Sequence, residues 1–140
     1  MAFAGINYVA VIVATIAGFA FGSVYYMVLG KAWMVALGKS AAEIEGAGKK
    51  MPVVPMLIAL VAQFMMAYLL AGILGHLGLA HLSARNGVIT AMFVWAGFVV
   101  TTMAVNYAFQ GQRRALWLID ALHWLGVLAI QGLVLGLIGL

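Results

Sequence analysis

Asp120 and His123 are the residues of this chain best suited to chemistry. They stand three apart in the last apolar segment, which on a helix sets them one turn apart on one side. A carboxylate and an imidazole so placed resemble a proton relay or a general-base pair. An acid inside hydrocarbon is also costly enough to count as a functional candidate by default. Three readings of Asp120 compete: proton or cation handling, catalysis, and hydrogen bonding that fastens helices, with Asn106, or Arg113 and the interface, as partner. Catalysis is the weakest, because no serine nucleophile, second acid or complete metal set accompanies the pair. His76 and His81 share a short loop, but a structural metal site takes four ligands and His123 lies near the opposite membrane face, so solvated histidines are expected and no metal or cofactor. Gly38-Lys39-Ser40 superficially resembles a phosphate-binding loop, yet Trp33 stands where that motif needs its first glycine, and no strand leads in.

A membrane must position these residues. Of 140 residues, 67% are hydrophobic and 7% charged, whereas soluble domains carry about 25% charged residues. No soluble core of this length hides that much apolar surface, so the bilayer is the solvent. Cysteine is absent, which excludes disulfides and thiolate metal sites. The net charge of +4 sits beside apolar spans and is explained by anionic headgroups and topology, not by nucleic acid. The first apolar run lacks a basic leader and exceeds a signal h-region, so it reads as a retained helix. Period-two alternation is missing, which excludes a β-barrel.

A spanning helix needs about 20 apolar residues. The charge punctuation yields an all-α polytopic four-helix bundle, one transmembrane domain over residues 1–140, with helices at about 6–29, 53–75, 85–109 and 115–138. Ser40 and Glu43 form a capping box, predicting a short cytoplasmic surface helix over about 41–47. Lys31, Lys39, Lys49 and Lys50 lie in the first loop and Arg113 and Arg114 in the third, against Arg85 alone in the second. The positive-inside rule then makes loops one and three cytoplasmic and puts both termini on the outer, periplasmic side of a bacterial inner membrane.

The segment from Trp95 to Gln131 reads as a polar hairpin. Measured from a turn near Arg113, Asn106 is level with Asp120, Thr102 with Trp124 and nearly with His123, and Trp95 with Gln131. Asp120 and Gln131 differ by about 20° around their helix, and Thr102, Val99 and Trp95 lie within roughly 40° of Asn106. Facing stripes would supply hydrogen bonds that lipid cannot. Gln63, near mid-membrane on helix two, needs a similar partner. Ala10, Ala14, Gly18 and Gly22 make a small-residue ridge on helix one. On helix four, Gly126, Gly132, Gly136 and Gly139 lie behind the polar stripe, a second face free for a neighbouring copy. Tyr25, Tyr26 and Trp33 read as interface anchors. Ala17–Phe19 and Ala96–Phe98 share an Ala-Gly-Phe string, too short a match to establish an internal repeat.

Ile6-Asn7-Tyr8, Gly22-Ser23-Val24-Tyr25-Tyr26, Gly30-Lys31-Ala32-Trp33, Gly38-Lys39-Ser40 and Leu118-Ile119-Asp120-Ala121-Leu122-His123 follow one another with characteristic order and spacing. Together they resemble the family called domain of unknown function 1761, over nearly the whole chain. The resemblance implies a small bacterial four-helix membrane protein and no assigned activity. Two functions are weighed. One is a structural or accessory bundle that self-associates or docks on a larger membrane complex. The other is a small oligomeric transporter or channel, its polar path near Asp120 and His123 and its substrate unspecified. A membrane-embedded enzyme stays a distant third.

Overall fold

Asn7 starts the first helix, its Oδ1 accepting from the backbone N–H groups of Val9 and Ala10 at 3.1 and 3.2 Å. That satisfies two of the donors every helix start leaves open. The computed structural model describes residues 5–47 and 52–140; Lys49 and Lys50, counted in the loop-one charge, lie outside them. The order is α1 (Tyr8–Ala36), α2 (Ala41–Gly46), α3 (Val53–Leu77), a 3-10 turn (Leu79–His81), α4 (Ala84–Val94), a π-helical turn (Trp95–Val99), α5 (Val100–Phe109) and α6 (Arg114–Ile138). α4, the π turn and α5 run on as one rod, so four helices are long and apolar enough to cross a membrane. Among the described residues there is no strand.

α1 continues past Leu29 to Ala36, because Gly30 and Lys31 do not stop it; an interior glycine costs only about 1 kcal/mol. The stop comes at Gly38, at φ +83°. There the N–H of Lys39 donates to Met34 O and that of Gly38 to Val35 O, each at 3.0 Å, the two-bond closure that a left-handed glycine permits. Gly38-Lys39-Ser40 is thus one helix's stop and the next one's start. At 29 residues, α1 is roughly 44 Å long against about 30 Å of hydrocarbon, so its last turns, with Trp33, reach toward the membrane surface.

Small residues share the interior with Leu70, Leu74, Leu128 and Leu135. Ala10, Ala14, Ala67, Ala71, Ala91 and Ala121 are buried, while Met27 is 81% and Phe109 91% exposed. Lipid tails are as apolar as leucine, so large residues gain nothing by turning inward, and small ones let helices approach. The closest approach is between α4 and α6. A Cβ added at Gly87 would run into Gly132 O, and one at Gly136 into Ser83 O. Gly126 leaves room for the Phe21 ring. The glycine face of α6 that the sequence offered to a neighbouring copy is therefore occupied within the chain at Gly126, Gly132 and Gly136. α6 is the central post, buried against α4 on one side and against α1 and α3 on the other.

The π turn changes the phase of the third rod. On an unbroken helix the inward stripe through Ala91 and Trp95 continues at Val99, Thr102 and Asn106. A π turn inserts one residue. Past it, Val100, Met103 and Tyr107 are partly buried, while Thr102 and Asn106 are exposed.

At the start of α2 the Glu43 carboxylate accepts from the Ser40 backbone N–H at 2.8 Å and from Lys39 Nζ at 3.1 Å. The Ser40 backbone bond first, then the Lys39 and Ser40 side-chain bonds and the Lys39 charge, hold its carboxyl at about 2, below the ordinary 4.5. A lowered folded value means that this cap is complete above the ordinary value and is lost as pH falls through the folded one. NMR signals of Ser40 and Glu43 should therefore be constant above pH 4.5 and titrate with a midpoint of about 2. Glu43→Gln should abolish that transition.

Candidate functional site

Asp120 lies about 9 Å along α6 from Arg114, and its residue is 8% exposed. Tyr26 Oη donates to Oδ1 at 2.6 Å, Trp33 Nε1 to the same oxygen at 3.0 Å, and Tyr107 Oη to Oδ2 at 2.6 Å. Tyr26 and Trp33 are seven residues apart, two turns of α1, and so share a face. Tyr107 comes from α5. The neighbouring carbonyls are also taken: Tyr25 Oη donates to Ile119 O and Trp95 Nε1 to Ala121 O, both at 2.8 Å. Ring donors from α1, the π turn and α5 therefore converge on Ile119, Asp120 and Ala121. Arg113 is engaged elsewhere. Its Nη1 donates to Val35 O at 2.7 Å, a cation at the negative end of α1.

His123 is 6% exposed and sits among rings. Tyr26 and Trp124 have centroids 4.7 and 4.8 Å away, Tyr25 5.6 Å and Phe21 6.4 Å. Gly22 provides its seat, since a Cβ there would stand 2.7 Å from Nε2. Among the described residues no hydrogen bond joins His123 to Asp120. The Tyr26 side chain touches both, bonded to the acid and packed on the imidazole. His123 Nδ1 is buried and has no partner among the described residues.

One turn of α1 away, Gly18 makes room for two amides. A Cβ there would stand 2.9 Å from Gln63 Oε1 and 3.3 Å from Gln131 Nε2. Gln131 Nε2 donates to the Gln63 backbone carbonyl at 2.9 Å, while both Oε1 atoms are buried and have no partner among the described residues. Gly18 and Gly22 thus accommodate polar side chains, whereas Gly132 and Gly136 accommodate backbone.

The structure brings His123, Gln63 and Gln131 to the junction of α1, α3 and α6, and places Asp120 between α6, α1 and α5. It does not bring Asn106 or Thr102 there. Both are exposed, and the Thr102 hydroxyl is satisfied on Phe98 O at 2.6 Å. Trp95 reaches Ala121, not its level partner Gln131. The polar tips of Tyr25, Tyr26 and Trp33, expected at the interface, bond inward to the Ile119 carbonyl and the Asp120 carboxylate. Sequence reasoning missed Tyr107, whose position depends on the π turn. It also missed the Tyr26–Trp33 pairing, for which the seven-residue spacing was the available signal. Among the described residues no three His, Asp or Glu side chains gather into a metal site. Both oxygens of Asp120 accept hydrogen bonds, three in all.

A family model described as protein of unknown function (DUF1761) matches residues 9–136. No curated protein and no solved structure matches the chain.

Asp120→Ala should destabilise the protein by about 3–5 kcal/mol, since three part-buried donors lose their acceptor. Asp120→Asn should cost less, roughly 1–2 kcal/mol, because an amide oxygen still serves Tyr26 and Trp33 and its nitrogen can donate to Tyr107 Oη. Tyr107→Phe should raise hydrogen exchange in α5 selectively. Equilibrium unfolding in mixed micelles and exchange by mass spectrometry measure these effects.

Proposed function

The chain belongs to the DUF1761 family, and from that premise we propose that it is a non-enzymatic accessory bundle of the bacterial cytoplasmic membrane. In this reading it associates with copies of itself or with a larger membrane complex and turns over no substrate. The observation that carries the reading is the clasp on Asp120: the one intramembrane acid of α6 accepts from three donors on two other helices. An acid committed to fastening is poorly placed to shuttle protons. α5, which has no buried residue, leaves most of its surface to lipid or to a partner helix.

We place both termini on the periplasmic side. Supporting this, Arg113 bonds to the end of α1, so the bases of loops one and three share one end of the bundle. The chain has no cysteine, which makes a labelling test clean. Ser83→Cys should react with a membrane-impermeant maleimide in intact cells, and Ser40→Cys only after permeabilisation.

A small transporter or channel is the second reading. It is favoured by a cleft of about 410 Å³ among α1, α3 and α6, lined in part by His123 and Gln63. Reconstituted liposomes separate the two. The accessory reading expects no proton or solute flux above that of protein-free vesicles. Flux lost in Asp120→Asn would overturn it.

A further inference from the structure

The cleft among α1, α3 and α6 has chemistry that the clasp does not use. Its volume, about 410 Å³, falls in the range of small-molecule sites, roughly 300–1,000 Å³. Pro55 and Met56 of α3 lie on its apolar wall, and Tyr26 and Trp124 add aromatic rings. Gln63 and His123 also line it. These two are 2% and 6% exposed, and each carries a buried polar atom, Gln63 Oε1 and His123 Nδ1, with no partner among the described residues. Unpaired polar atoms are expensive inside a membrane, and native proteins rarely keep them without a purpose.

We infer that this cleft binds a neutral, lipid-soluble molecule whose planar ring head carries a hydroxyl group, a phenol- or quinol-like lipophile. Gln63 Oε1 is an acceptor, so the ligand must bring a donor. His123 supplies the second polar contact. The rings of Tyr26 and Trp124 suit a flat head. Charge selects against the alternatives. Among the described residues no Lys or Arg lines the cleft, so an anionic head such as that of a fatty acid finds no cation there. A cationic head finds no acid on the cleft wall among the described residues, and the Asp120 oxygens beyond it already accept from Tyr26, Trp33 and Tyr107. The inference is independent of whether the protein moves solutes.

Four probes with matched decyl tails test it on the full chain in phosphatidylcholine nanodiscs: 4-decylphenol, decylbenzene, 4-decylbenzoate and decyltrimethylammonium. Binding is read by the summed fluorescence of the four tryptophans, Trp124 among them, and by the thermal midpoint. 4-Decylphenol should bind saturably, about five- to tenfold tighter than decylbenzene, the worth of one hydrogen bond. The benzoate and the ammonium probe should be no better than decylbenzene. Gln63→Leu should erase the preference for the phenol. Ala59→Phe, on the cleft wall, should abolish saturable binding while the probe-free thermal midpoint is retained, and it decides the matter if Gln63→Leu does not fold. Mere partitioning of all four probes, tighter binding of either charged probe, or saturable phenol binding retained in folded Ala59→Phe overturns the inference.

Discussion

A carboxylate inside a hydrocarbon layer must find its hydrogen bonds within the protein, because lipid offers none. Much of this bundle is arranged around that requirement. Asp120 accepts from Tyr26 and Trp33 on α1 and from Tyr107 on α5, and so ties to α6 two helices that are far apart in the chain. The tie matters most for α5, which buries no residue of its own. Directional bonds hold together what apolar contact alone does not, since in lipid the apolar surface of a helix gains little from leaving its surroundings.

Small residues do two different jobs around this post. Between α4 and α6, Gly87 and Gly132 bring backbones into contact, where dispersion and weak Cα–H···O bonds replace the hydrophobic drive. Along α1, Gly18 and Gly22 instead leave pockets for Gln63, Gln131 and His123. One motif thus seats helices in one place and polar side chains in the other. The second use explains how polar groups fit in an interior otherwise lined by alanine, leucine and valine.

The aromatic residues share this economy. Tyr26 binds the acid through its hydroxyl and packs its ring on His123, so the clasp and the imidazole are parts of one assembly. The same ring lines the cleft beside Gln63. Any molecule entering that cleft touches a side chain that also holds the helices together. Occupancy and bundle stability are therefore linked, because a ligand that binds only the folded form stabilises it.

The amino-acid sequence by itself determined the membrane class, the four long apolar helices and the small-residue ridges. These follow from local quantities: hydropathy summed over a window, the rise per residue, and the chemistry of single side chains. It also singled out Asp120, His123, Gln63 and Gln131, because polar residues in an apolar run stand out wherever they point. Only the tertiary structure decided which groups meet. One residue inserted at Trp95–Val99 turns the rest of the rod by about 100°, and so Tyr107 faces the acid in place of Asn106. Likewise, α1 runs on to Ala36, which puts Trp33 on the same face as Tyr26. Partner choice depends on the rotation of one helix against another, and sequence periodicity does not record where a helix changes phase.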